Sequence, residues 1–310
     1  MQSVHALVAS IVDYAGLYPP AQLDPVTTVR NYAHVHGSTR QWMLGRLIWP
    51  VAQLDLLSVQ AVGHAPDAVL PQTHGAWAIS CVLSPAGTSE FEADLARVEA
   101  FNERHSEVGA AAMRIDSLEM RAADATSVER ALPMLPDDMF PYFEISLDSD
   151  PRGVIAALVG EEAGAKFRTG GTTPQAHPAA ADLARALHAC ASAGVPFKAT
   201  AGLHRALCHF NTAAGSKQFG FLNVLLGAAF IDHRKCDLDG LTHVLNLDSV
   251  NDIEFSEHAL MWKGVRVSLD EIEETRRRFA HSFGSCSFEE PWDDLVAMEV
   301  VRALPMGGPA

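Results

Sequence analysis

The sequence predicts an α/β chain closed into a single (β/α)8 TIM-like barrel, with an inserted β-hairpin near residues 253–267. Three observations lead there. Short apolar runs alternate with helical patterns about seven times and no long polar linker intervenes, the mark of a parallel sheet in one domain. Units of roughly 30–35 residues suit a closed barrel better than an open doubly wound sheet. Residues 164–204 read as one βαβ crossover: two apolar segments each carry a lysine and end in a Thr/Gly turn. Polar groups then collect at the C-terminal ends of neighbouring parallel strands, where barrels hold their active sites.

Taken in order, residues 8–12 read as the first strand, closed by Asp13 and followed by a loop through Gly16, Pro19 and Pro20. Residues 26–33 have a helical face. Residues 42–49 form a second strand, and 51–62 a helix after Pro50. Residues 76–83 form the third strand; Thr88 or Ser89 then caps a helix to His105, with Glu92 in its first turn. Residues 108–115 are the fourth strand, ending at Asp116, and 128–135 a helix stopped by Pro136. Residues 140–147 are the fifth strand, with Glu144 in its middle, and 154–163 the helix behind it. The 164–204 crossover supplies strands six and seven, and 219–230 the next helix. Residues 242–247 fit strand or helix equally. After a 269–278 helix, residues 279–288 close the barrel. Residues 1–290 are thus expected to form the barrel-like catalytic domain and 291–310 a short C-terminal helix with a frayed tail.

Bulk properties narrow the function. The chain has 310 residues, 48% of them hydrophobic, enough for a large core. No apolar run approaches the roughly 20 residues of a membrane span. The N-terminus lacks a basic stretch before an apolar one, so a cytoplasmic protein without membrane attachment is expected. Five scattered cysteines with no Cys-x-x-Cys pair fit reduced thiols. A net charge of −15, without a basic run, argues against nucleic acid. A local Lys/Arg cluster still suits a small anionic metabolite. No segment declares an interface, and a homo-oligomer stays open.

Lys198 stands in the apolar segment Val195-Pro196-Phe197-Lys198-Ala199-Thr200. Pointing inward it would be desolvated, and a neighbouring cation would further lower its pKa, as an amine nucleophile requires. Lys166 and Arg168 are two residues apart on the adjacent strand and share a face. Glu144 and Asp116 are candidates for proton transfer, and Asp13 for balancing the cations. Each also has a structural reading, as counter-ion or as cap. Arg168, Thr169, Gly170, Gly171, Thr200, Gly202 and His204 offer backbone N–H groups, hydroxyls, a guanidinium and an imidazole for an anionic group. The fourteen histidines form no metal motif: His34 and His36 point to different sides of a helix, and His204 and His209 lack companions. Cys286 has no sequence-near histidine to activate it. No Walker loop, Gly-x-Gly-x-x-Gly or Gly-x-Ser-x-Gly is present. No cofactor and no metal are called for.

The segments Gly164-Ala165-Lys166-Phe167-Arg168-Thr169-Gly170-Gly171 and Phe197-Lys198-Ala199-Thr200-Ala201-Gly202-Leu203-His204, with Phe143-Glu144-Ile145 upstream, resemble the deoxyribose-phosphate aldolase group of Schiff-base barrels. The likeness covers residues 143–204. It implies a class I aldolase-like lyase that works through a lysine imine. Aligned on the shared Thr, the family's imine-forming lysine falls on Arg168, which cannot form an imine, and its second lysine on Lys198. Either Lys166 or Lys198 takes the nucleophile role, or a cation-lined anion pocket remains without imine chemistry. Two further readings stay open: a phosphate-ester or phosphoribosyl-type barrel enzyme without a covalent step, and a non-catalytic metabolite-binding barrel.

Overall fold

The computed structural model describes residues 1–62, 76–105, 113–212 and 214–301. Along the chain run α1 (Gln2–Val8), β1 (Val12–Tyr14), α2 (Pro25–His36), β2 (Leu44–Pro50), α3 (Leu54–Val62), β3 (Trp77–Val82), α4 (Ser89–His105) and β4 (Met113–Arg121). Then follow α5 (Ala125–Ala131), β5 (Phe140–Ile145), α6 (Arg152–Ala156), β6 (Gly164–Arg168), α7 (Ala180–Ala193) and β7 (Phe197–Thr200). A long excursion adds β8 (His209–Asn211), β9 (Ser216–Gln218), α8 (Phe221–Asp232), α9 (Leu238–Leu245), β10 (Ile253–Phe255), β11 (Ala259–Trp262), β12 (Val265–Ser268) and α10 (Leu269–Arg278). The chain returns through β13 (Ala280–Ser285) to α11 (Glu289–Ala297).

Eight parallel strands close in the order β1-β13-β7-β6-β5-β4-β3-β2, with β1 paired to β2. The expected (β/α)8 barrel is therefore the observed fold. Closure removes both sheet edges, and period-2 alternation sends one set of side chains inward and the other toward the helices. The outer set is apolar. Phe167, Phe197 and Phe279 meet ring to ring, and Phe283 stacks on Phe221 of α8. Eleven of the twelve residues of α8 are buried, so it is a core helix without a solvent face. Among the described residues no helix is long and apolar enough to cross a membrane.

Several boundaries differ from expectation for identifiable reasons. The apolar run at residues 8–12 is divided between α1 and β1, because Val4, Leu7 and Val8 bury one helical face before the chain extends at Val12. The fourth strand runs to Arg121 rather than stopping before Asp116; residues 108–112 of the expected span lie outside the described residues. The helix after β5 covers only Arg152–Ala156, and the ambiguous 242–247 segment falls at the end of α9. The expected C-terminal helix is α11, and residues 302–310 of the expected tail lie outside the described residues. The inserted hairpin is part of a three-stranded antiparallel sheet, β10-β11-β12. The tight turn between β11 and β12 places Lys263 and Gly264 at φ +48° and +77°, the left-handed pair of a type I′ turn.

α10 is built to hold its ends. Ser268 and Glu271 form a capping box at its start, Asp270 and Glu271 face the positive end of its dipole, and Arg276, Arg277 and Arg278 occupy its last turn. That last turn lies beneath the barrel, beside the start of β13.

Candidate active site

The barrel interior is charged where many barrels are aliphatic. In β7, Phe197 and Ala199 join the apolar core while Lys198 between them points to the barrel axis; in β6, Ala165 and Phe167 flank Lys166 in the same way. The two lysines are direct register partners across β6 and β7, and Glu144 is the register partner of Lys166 on β5. Lys198 is fully buried and Lys166 is 6% exposed.

Three carboxylates hold these amines. Lys198 Nζ donates to Asp13 Oδ2 at 2.5 Å and to Glu119 Oε1 at 2.7 Å. Lys166 Nζ lies 2.8 Å from Glu119 Oε2 and 2.8 Å from Glu144 Oε2. Glu119 therefore bridges the two lysines. Ser282 donates to Asp13 Oδ2 at 2.6 Å and Ser80 to Glu119 Oε1 at 2.7 Å. At the rim, Arg168 and Arg121 approach Glu144 Oε1 at 3.4 and 3.5 Å. Three carboxylates thus face two ammoniums and two guanidiniums, and Asp148 in the wall of the rim cavity adds a fourth negative charge. Burying an ion costs several kcal/mol unless it is paired and hydrogen-bonded. Every ion of this lattice is paired, and Glu119 Oε2 meets Lys166 as an ion pair without a hydrogen bond.

The pairing decides protonation. Burial disfavours the Lys198 ammonium, but the charges and hydrogen bonds of Asp13 and Glu119 outweigh it, and its pKa is raised. This corrects the expectation of a lowered value: desolvation acts as foreseen, yet two carboxylates overrule it. Burial likewise opposes the Glu119 carboxylate, and the two lysines overcome that and hold its pKa low. Glu144 is also lowered: burial works against its charge, and Lys166 and Arg168 more than offset it.

The structure sorts the remaining candidates. Asp116 is not brought to the lysines. It sits at a β-bulge, where Ile79 and Ser80 of β3 face Ile115 and Ser117 and skip it, and its carboxylate holds Arg46 by two hydrogen bonds of 2.7 and 3.0 Å. Thr169 is spent structurally, its hydroxyl donating to Ala201 O at 2.5 Å. Gly170 and Gly202 pack backbone to backbone, since a Cβ on Gly170 would come within 2.7 Å of Gly202 Cα. Thr200 pairs in register with Arg168 and Gly284, and Gly171 would meet Ala176 if it bore a Cβ. His204 lies at the mouth, 2.9 Å from Glu290 Oε2. Hydrogen bonds to Cys286 and Glu290 raise its pKa to about 9.

Sequence reasoning missed Glu119, the centre of the lattice, because it ended the strand at Asp116. Asp13 it placed at a strand end; the residue is central to β1, fully buried, and depends on Gly45, where any Cβ would fall 2.3 Å from its Oδ1. It also missed Tyr18, whose buried hydroxyl has no hydrogen-bond partner. Burial, then the charges of Glu119, Cys81 and Glu144, raise its pKa. A cavity of about 370 Å3 opens beside Glu144, with Arg121, Ser146 and Arg168 in its wall. Among the described residues no three His, Cys, Asp or Glu side chains are grouped to hold a metal ion. Comparison with known proteins gives no matching family model and no matching curated protein.

Proposed function

We propose that the chain is a barrel enzyme that joins Lys166 as an imine to a small carbonyl compound bearing an anionic group, then breaks or makes a carbon–carbon bond or shifts a proton. The observation that carries this reading is the register pair Lys166 and Lys198 bridged by Glu119. Two amines and a shared carboxylate give one fixed charge and one amine with a proton acceptor on either side. Lys198, sealed between Asp13 and Glu119, acts as the fixed charge. Lys166 is the nucleophile, being the less buried of the two amines, its side chain 8% exposed against 0% for Lys198.

The steps balance within the site. Lys166 passes a proton to Glu144 or Glu119, and its nitrogen attacks the carbonyl carbon to give a carbinolamine. The carbinolamine oxygen takes a proton, with Tyr18 placed as donor, and leaves as water. The iminium then accepts the electron pair released when the adjacent C–C bond breaks, the β-hydroxyl proton passing to the Tyr18 phenolate, or when the adjacent C–H bond breaks, its proton passing to the same phenolate. The enamine is reprotonated at carbon, and water hydrolyses the imine to return the amine. Arg168 and Arg121 hold the substrate's anionic group at the rim. A phosphate clamp at the lysines themselves is disfavoured, because Asp13, Glu119 and Glu144 already surround them and would repel it.

The test is borohydride reduction in the presence of acetaldehyde, pyruvate or glyceraldehyde 3-phosphate, with peptide mapping by mass spectrometry. The expected result is one stoichiometric adduct on Lys166, absent in Lys166→Arg. No adduct with any of the three compounds, or an adduct spread over surface lysines, would sink the reading.

A further inference from the structure

At the opposite end of the barrel lies a second cavity, of about 930 Å3, larger than the one beside Glu144. It opens at the N-terminal ends of the strands, between α1 and α10. Arg276 lines it. That guanidinium donates to the carbonyls of Ala9, Ala280 and His281, the last at 2.6 Å, while its Nε is buried without a partner. Among the described residues no carboxylate comes within ion-pair distance of it. Two other guanidiniums line the cavity: Arg46, which already has Asp116, and Arg277, which is exposed to solvent.

The wall is otherwise suited to an organic body. Ala6, Ala9, Phe140 and Leu269 give it apolar surface, and its one acid, Glu273, is exposed to solvent. The local field is positive. Burial first, then the charges of Arg276, Arg46 and Lys198, depress His281 to about 4, so its ring is neutral and holds the Tyr142 hydroxyl through Nδ1 at 2.6 Å. Burial likewise lowers Arg276 to about 10, leaving it charged at neutral pH. A half-buried cation satisfied only by carbonyl dipoles and facing a roomy, partly apolar cavity is a receptor for a counter-ion.

We propose that this cavity binds a small organic carboxylate, its anionic end on Arg276 and its apolar body against Ala6, Phe140 and Leu269. The site is separate from the lysine lattice, and the proposal does not depend on imine chemistry.

Calorimetric titration of the full chain with benzoate and hexanoate, and with benzyl alcohol as a neutral twin, tests it. Benzoate or hexanoate is expected to bind saturably at one site, with benzyl alcohol at least about tenfold weaker. Ala6→Trp, which fills the cavity and leaves Arg276 in place, is expected to weaken binding by a similar factor while the thermal unfolding midpoint is retained. Arg276→Gln should do the same; if that variant fails to fold, Ala6→Trp and the neutral twin still decide. No saturable binding of either carboxylate, equal binding of benzyl alcohol, or unchanged binding in Ala6→Trp would overturn the proposal.

Discussion

Lys198 and Arg276 are two cations of one barrel, the first fully buried on its axis and the second half-buried on α10 beneath it. Lys198 has two carboxylates at hydrogen-bond distance, and Arg276 has three backbone carbonyls and no acid within ion-pair reach among the described residues. The electrostatic consequence is opposite in sign: Lys198 is raised by Asp13 and Glu119 against the effect of burial, whereas burial dominates at Arg276 and lowers it to about 10. A charge paired on two sides by carboxylates is part of the scaffold. A charge held only by dipoles has capacity left for a ligand.

The sharpest way to break this contrast is to remove each cation. Lys198→Met leaves Asp13 and Glu119 buried without their shared partner and is expected to cost about 3–5 kcal/mol in urea unfolding. Adding Glu119→Gln to that variant should recover part of the loss, since the two residues act as one unit. Arg276→Met removes hydrogen bonds to carbonyls together with an uncompensated charge, so a smaller loss of about 1–3 kcal/mol is expected. Equal losses at the two positions would contradict the distinction.

Acid sharpens it next. Glu119 and Glu144 have pKa values lowered in the fold, so the stability they contribute is present above the ordinary carboxylate value of about 4.3 and is lost as pH falls through their folded values. Unfolding free energy should hold level between about pH 5 and about pH 6.5 and drop below about pH 4, with a shallower acid drop in Glu119→Gln. A profile unchanged in that variant would show that Glu119 is not held by the lysines.

His204 gives a narrower effect at the mouth. Its folded value of about 9 lies above the ordinary histidine value of about 6.5, so its contribution is complete below the latter and lost as pH rises through the former. Nuclear magnetic resonance titration should find that value, and Glu290→Gln should bring it down. The smallest change is expected at the rim: Arg168→Gln, with its side chain 46% exposed, should alter stability by less than about 1 kcal/mol while weakening binding of an anionic substrate.

How much of this could be read from the chain follows from local pattern against long-range register. Lys166 and Lys198 were legible because each is a lone charge flanked by apolar residues in a short strand, and one helix joins the two strands. The barrel itself was legible through repeated βα alternation. Glu119 was not, because the bulge at Asp116 shifts the inward face by one residue, and a bulge is fixed by pairing with β3 rather than by composition. Asp116 looked like a strand terminus for the same reason and in fact serves Arg46. The raised pKa of Lys198 was illegible too, since Asp13 lies 185 residues away in sequence. Nothing in the sequence around Arg276 announces a cavity; the Arg276–Arg278 run reads as favourable charge at a helix C-terminus.

The lattice works as described only if Lys198 is its fixed ammonium. The most direct measurement is the 15Nζ resonance of Lys198 followed with pH. An ammonium signal is expected to persist to pH values above the ordinary lysine pKa of about 10.4, and to lose this protection in Glu119→Gln. A neutral-amine signal at pH 7, or titration below the ordinary value, would contradict it.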